Sequence, residues 1–314
     1  MVSGSAHINR PDRPSALKAL LPYLLLTTSA LLWSGNFVIS RAVAASIPPV
    51  GLLFWRWVVA LVILLPFAVP RFRCQWPIVR ANLKLFPLFG LLGVTLFNLL
   101  IYTAMHTTTA INAALVNSVI PVLIILFSRL FYKSGITRQQ WFGVVLSLLG
   151  VLTIILRGNL SSVLTLSFSI GDLLVFGAAI SWSLYSICLR YYPKDLDPLV
   201  FLVCITLCGL PLILPIYLWE IASGSMIPLT PASFATIAYV GICASVIAFI
   251  CWNSGIRTVG AQSGGQFIHL MPVFSTILAV LFLHERLQGF HLLGIVLIVS
   301  GIAAATNLLR VRKQ

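Results

Sequence analysis

Apolar runs follow one another along this chain, each ended by a short polar or proline-containing turn. A helix that crosses a bilayer needs about 20 predominantly apolar residues. Ten runs approach or exceed that length, at residues 20–40, 49–69, 83–105, 109–131, 139–157, 171–191, 198–219, 231–256, 261–283 and 289–309. Turns as short as His106–Thr108 and His284–Gln288 force the helices on either side to run antiparallel. No segment between runs could fold as a soluble domain. The pattern predicts an all-α polytopic membrane protein with ten transmembrane helices.

The pattern also repeats. Residues 102–122, YTAMHTTTAINAALVNSVIPV, find an echo in residues 252–273, WNSGIRTVGAQSGGQFIHLMPV. Each copy ends one apolar helix on an aromatic and crosses a tight turn without an acid. Each then enters a helix of small and amide side chains interrupted by proline, Pro121 or Pro272. Proline inside a spanning helix frees a carbonyl, which neighbouring helices or a water-lined cavity must satisfy. Pro121 and Pro272 are therefore the expected hinges. Two such breaks at corresponding places point to the central site of a secondary transporter. Ala30, Trp33, Ser34 and Arg41 correspond likewise to Ala179, Trp182, Ser183 and Arg190, and Gly143 and Gly150 to Gly294 and Gly301. With five spans per repeat, the second must insert upside down relative to the first, giving two inverted-topology five-helix repeats. The expected organisation is a tail over 1–19, a first repeat over 20–157, a linker over 158–170, a second repeat over 171–309 and a tail over 310–314.

Composition supports the membrane reading: 60% of residues are hydrophobic and 8% charged, against about 25% charged in a soluble domain. The polar start is not followed by a short apolar segment with a cleavage site, so a removed signal peptide is not expected. The net charge of +14 does not imply nucleic acid, because the bases are spread over turns. Their distribution sets orientation instead. With the N-terminus inside, sixteen lysines and arginines fall on the cytoplasmic side and three, Arg41, Arg157 and Arg286, on the other. Both termini are then cytoplasmic. Five of the six cysteines lie in apolar runs and Cys74 is placed in a loop, which fits neither a disulfide framework nor a zinc site.

Several stretches carry a family resemblance. They are Tyr102-x-Ala104-Met105, Ala110, Ala113-Ala114-Leu115 and Pro121 in spans 3 and 4, and Phe282-Leu283-His284-Glu285-Arg286-Leu287 after span 9. Gly171-Asp172-Leu173-Leu174, leading to Ser181-Trp182-Ser183-Leu184-Tyr185, opens span 6. Over about residues 20–307 the chain resembles tandem EamA domains of the drug/metabolite transporter superfamily. Within that superfamily it looks like the YddG-type aromatic amino-acid exporters of bacteria. The resemblance implies a multi-pass inner-membrane exporter of aromatic and other neutral amino acids, working by alternating access. It also implies a basket in which spans 1–4 and 6–9 surround a central cavity, braced from outside by spans 5 and 10. The glycines of spans 5 and 10 suit that role, since small residues let membrane helices approach closely.

Periodicity selects the cavity-facing side chains. Trp33, Asn36 and Phe37 share a face of span 1, and Trp182, Tyr185 and Ser186 the matching face of span 6. Asn98 and Tyr102 in span 3 oppose Trp252 in span 8. Gln262, Gln266 and His269 share a face of span 9, and Asn112 and Asn117 belong to span 4. Amides in hydrocarbon need partners, so these faces should point inward. For each residue the alternative is packing or interhelical hydrogen bonding. Inverted symmetry further suggests that Trp33 and Trp182 close opposite ends of one pathway. Arg56, near the centre of span 2, must pair with something. It is either a clamp for a substrate carboxylate or a structural arginine bonded to carbonyls and amides. Asp172 reads as a helix N-cap, His269 as a hydrogen-bonded core histidine, and His284 and Glu285 as surface residues.

Absences narrow the function. No acid lies in the middle of a span, so the carboxylate that exchanges protons for cations is missing, and neutral or zwitterionic substrates fit better than lipophilic cations. An intramembrane hydrolase would need paired aspartates, H-E-x-x-H or a serine–histidine pair at one depth, and Gly171-Asp172 lacks the preceding glycine and the second aspartate of the aspartyl type, so an enzyme is not expected. A passive channel would need a ring of charge or carbonyls. No cofactor or metal is expected. The expected partners are the lipid bilayer and a small-molecule substrate, with the chain a monomer.

Overall fold

The structure is a computed structural model that describes residues 16–43, 46–108, 110–159, 169–283 and 286–306. The expected His284 and Glu285 surface positions lie outside the described residues. Helices account for nearly all of the rest, and no strand occurs among the described residues. In chain order they are α1 (Ala16–Val43), α2 (Pro49–Ala81), α3 (Leu85–Ala104), α4 (Asn112–Tyr132), α5 (Arg138–Ile155), α6 (Ile170–Tyr191), α7 (Pro198–Ala222), α8 (Pro231–Val259), α9 (Ala261–Phe282) and α10 (Gly289–Ala305). Among the described residues, nine are long and apolar enough to cross a membrane, and α10 is a shorter apolar helix of 17 residues.

One boundary departs far from the expectation. The expected span ends at residue 69, with Cys74 in a loop, yet α2 runs for 33 residues, about 50 Å at 1.5 Å per residue. Pro66, Pro70 and Pro77 all fall on exposed positions, where a lost backbone hydrogen bond strands no buried partner. Cys74 is therefore exposed on a helix.

The most extensive helix contacts form a set that is unchanged when each helix is exchanged for the one five places on. They join α5 to α10 and α2 to α7, α1 to α8 and α6 to α3, α7 to α3 and α2 to α8, and α1 to α9 and α6 to α4. Glycines set the closest approach. A methyl group on Gly143 would stand 2.5 Å from the Gly301 carbonyl oxygen, and one on Gly150 would stand 2.7 Å from that of Gly294. Both α3 and α8 widen into a π-helical turn at the same place in their halves, Gly90–Leu96 and Val240–Ile247. Likewise α4 and α9 are both interrupted just before their prolines. In α4 the break separates Ala110–Asn117 from Ile120–Tyr132, and in α9 a 3-10 turn occupies Gly265–His269.

Acidic side chains sit at helix ends, where the N-terminal dipole favours them. Glu220, near the end of α7, accepts the Val50 and Gly51 N–H groups at 3.1 and 2.6 Å, holding the N-terminus of α2. The cap of α6 is Ser169, not Asp172. Asp172 stands three residues in and completes a capping box by accepting the Ser169 N–H at 2.6 Å. We name the two ends of the bundle after Pro48, before α2, and Tyr192, after α6.

Candidate functional site

Two connected cavities lie on the axis of the bundle. The outer one, of about 330 Å³, is lined by Phe37, Met105, Asn117, Ser118, Ile155, His269, Pro272, Thr276 and His291 and faces the Pro48 end. Below it a pocket of about 30 Å³ is lined by Trp33, Asn36, Arg56, Phe97, Asn98, Trp182 and Phe249. Phe37, Asn117, Ile268 and Met271 belong to both and form the neck between them.

The inner pocket is built around Arg56, and the π-turns hold it. A π-turn leaves backbone carbonyls without their helical partners, which is why such turns collect at functional sites. In α3, Asn98 Nδ2 donates to the carbonyls of Gly93 and Val94 at 2.9 and 3.0 Å. In α8, Ser245 Oγ donates to the Val240 carbonyl at 2.9 Å. The oxygens of these two side chains then accept from Arg56: Nη1 donates to Asn98 Oδ1 at 3.1 Å and Nε to Ser245 Oγ at 2.8 Å. Nη1 also donates to the Tyr102 hydroxyl at 2.8 Å. A guanidinium has five N–H donors, and the two on Nη2 have no partner among the described residues. Arg56 is 1% exposed, and the single ion pair among the described residues is Arg71–Asp197, at 3.3 Å. The site thus holds a buried, permanently charged cation with no anion beside it.

Aromatic rings close the floor of the pocket. The Trp33 and Trp182 centroids lie 5.0 Å apart with perpendicular planes, and Trp252 lies 5.3 Å from Trp33 and 5.7 Å from Trp182. Phe97 and Phe249 stand 4.9 and 5.4 Å from Trp182, and Tyr185 stacks on it at 5.1 Å. Trp33 Nε1 donates to the Ala244 carbonyl, within the α8 π-turn, at 3.0 Å. The expected pair of gates at opposite ends is therefore corrected. Trp33 and Trp182 touch and form one barrier, because both stand at mid-length of crossing helices. Beyond the barrier the Tyr192 end is sealed. Arg257 lies 3.7 Å over the Tyr192 ring and donates to the Lys194 carbonyl, and Arg190 lies 4.0 Å over Tyr132.

The other expected cavity residues divide. Trp33, Asn36, Phe37, Arg56, Asn98, Asn117, Trp182, His269 and Pro272 line one or both cavities. Tyr102 reaches the site through Arg56, while Trp252 and Tyr185 pack behind the floor, Tyr185 donating to Asn253 Oδ1 at 2.8 Å. Asn112 does not line either cavity: with Thr108 it donates to the Asp172 carboxylate, tying the start of α4 to that of α6. Ser186, Gln262 and Gln266 also lie off both cavities, as does Pro121, whose missing N–H opens the break in α4. His269 lies between Ser118 O at 2.9 Å and Ser147 Oγ at 2.7 Å. Since a carbonyl only accepts, Nε2 must donate to Ser118, so His269 of broken α9 covers a carbonyl at the break of α4. The expectations missed Phe97, Ser245, Phe249, Ile268, Met271 and His291. Ser245 had a legible signal, since Thr95 occupies the matching place in the first half.

The sequence pattern of the EamA-like transporter family matches residues 20–156 and again 169–307. The chain belongs to that family. It is a multi-pass membrane transporter. Among similar EamA-like proteins, uncharacterized transporter YyaM of Bacillus subtilis (strain 168) is 25% identical over 95% of this chain and 97% of its own. Uncharacterized transporter YdfC of the same strain is 28% identical, covering 86% of each chain. Uncharacterized inner membrane transporter YedA of Escherichia coli (strain K12) is 25% identical over 88% of this chain and 87% of its own. One solved crystal structure shares the fold, with a TM-score of 0.73 at 22% identity over 93% of this chain and 99% of that chain.

Proposed function

We propose that this transporter exports amino acids, aromatic and other neutral ones, across the bacterial inner membrane by alternating access. Two inverted five-helix repeats, 20–157 and 171–309, form its pathway. The observation that carries the substrate class is the Arg56 guanidinium in the wall of the inner pocket, with only neutral partners among the described residues. A carboxylate is a strong acceptor for the charged N–H groups left on Nη2, and the rings beside them offer faces for an apolar or aromatic side chain. An outer cavity of about 330 Å³ is at the lower end of the range for small-molecule sites, about 300–1,000 Å³. The closed aromatic floor favours a carrier over a passive channel. The distribution of basic residues supports a cytoplasmic Tyr192 end and cytoplasmic termini, and in that orientation the cavity described here opens to the outside.

The deciding experiment is uptake by purified protein in liposomes across a panel of amino acids, with and without a pH gradient. Saturable uptake without an imposed gradient is expected, since no acid of the described chain lines either cavity to carry protons. Transport of no amino acid, or transport only under a proton gradient, would sink the reading. Orientation is tested with a membrane-impermeant thiol reagent on Cys74 and on Ser223→Cys, both exposed and near opposite ends. Labelling from opposite faces is expected, with Cys74 reactive on the cytoplasmic face. Labelling of the two from one side would refute the topology.

A further inference from the structure

Both amide atoms of Gln266, Ser186 Oγ and Trp252 Nε1 are buried with no hydrogen-bond partner among the described residues, as is Gln262 Nε2. Buried polar groups are nearly always paired, so each exception needs a reason. Two other such atoms lie elsewhere, Asn117 Oδ1 at the neck of the open cavity and Trp57 Nε1 on α2, but the first group shares a place. α6 runs toward the Tyr192 end, so Ser186 lies one turn beyond Trp182 of the floor. α9 starts at the Tyr192 end, so Gln262 and Gln266 lie between that end and His269 in the outer cavity. Trp252 packs behind the floor, against Trp33 and Trp182. All are on the far side of the barrier from the open cavity or within the barrier, and none lines either cavity.

The backbone that carries the glutamines is built for rearrangement. Ala261, Ser263, Gly264 and Gly265 are small, and Gly265–His269 forms a 3-10 turn, whose hydrogen bonds are poorer than those of an α-helix. A methyl group on Gly264 would stand 2.6 Å from Ile256 of α8, and one on Gly265 would stand 2.6 Å from Ile124 of α4. The segment thus packs closely between α8 and α4, against the ends of isoleucine side chains that can shift with it.

We infer that Ser186, Gln262 and Gln266 line the second half of the pathway, closed in this structure, and receive the polar end of the solute and its water once the aromatic floor opens. The inference rests on the transport reading above and assigns residues to its unobserved half. Its chemistry differs from that of the first half. An amide offers a donor and an acceptor but no charge, so this half would hold a carboxylate more weakly than Arg56 and suit entry and release. Unpaired here, these groups would be hydrated in the other state, so they disfavour the present one.

The test is Gln266→Leu. A leucine removes the unpaired amide and stabilises the present state relative to the other, because a group that interacts differently with two states shifts their populations. The expected result is a higher Tm together with at least a tenfold lower transport rate, while Gln266→Asn keeps most of both wild-type values. A packing role alone predicts the higher Tm with transport unchanged, and that outcome would overturn the inference. Should Gln266→Leu fail to fold, Gln266→Cys in a chain lacking the six native cysteines decides. Thiol labelling from the Tyr192 side only is expected, and no labelling from that side in vesicles would overturn it. Labelling needs no substrate, so it separates this failure from a wild-type protein that moves no amino acid.

Discussion

Arg56→Gln is expected to lower transport of a carboxylate-bearing solute by about 10- to 150-fold, the equivalent of one hydrogen bond to a charged group, roughly 1.5–3 kcal/mol. The same change is expected to leave stability equal or improved. The wild-type side chain buries a charge whose described partners, Ser245, Asn98 and Tyr102, are all neutral. Charge buried this way costs several kcal/mol after relaxation. A glutamine can keep neutral hydrogen bonds to the same groups. The measurement is uptake of an amino acid and of its amide or alcohol analogue, paired with Tm of the purified protein. Wild type should discriminate against the analogue, and the variant should not. The opposite pattern, a large loss of Tm with discrimination intact, would make Arg56 a structural arginine whose role is to tie α2 to α3 and α8.

Those two readings of Arg56 were both open from the sequence, and the reason they stayed open is physical. A helical wheel shows which residues share a face but not what that face meets. The wheel also assumes a constant 3.6 residues per turn, and the π-turns at Gly90–Leu96 and Val240–Ile247 break that assumption. Each adds residues to a turn and rotates everything after it. Tyr102 and Trp252 follow these turns, and neither lies on a cavity wall. Trp33 and Trp182 were legible as a matching pair, but depth along crossing helices is not, so their 5.0 Å contact came as a single barrier in place of two gates. The end of α2 was misread because its apolar run ends at residue 69, although the helix continues through three prolines at exposed positions, where the carbonyl each leaves without its N–H partner is not buried. By contrast, the other helices were legible to within a few residues of their ends. So were the breaks before Pro121 and Pro272, since both signals depend on local composition alone.

The glycines of α5 and α10 give the largest expected effect on stability. Apolar side chains gain little by leaving lipid for another helix, so membrane helices associate through close packing and hydrogen bonds, and small residues at the crossing decide how close they come. Here the atoms met are backbone. The Gly294 carbonyl would lie 2.7 Å from a methyl on Gly150, and the Ile298 N and a side-chain carbon of Ile298 would each lie 2.8 Å away. A flexible side chain could swing aside, but a carbonyl cannot move without its helix, so α10 as a whole must retreat. Gly150→Val is expected to cost about 1–3 kcal/mol or more, the range for overpacking a tight interior, and to lower Tm by several degrees. Gly135→Ala, where nothing lies within 4 Å, is the control and should leave Tm unchanged. Two variants falling together would indicate a general sensitivity to glycine loss, and an unshifted Gly150→Val would mean that the crossing is loose. α5 and α10 reach the pathway elsewhere, through Ile155 and His291 in the wall of the outer cavity. Neither Gly150 nor Gly294 lines a cavity, so Gly150→Ala protein that survives purification should transport at close to the wild-type rate per folded molecule. If its rate falls with the folded fraction unchanged, α5 and α10 belong to the moving part of the transporter.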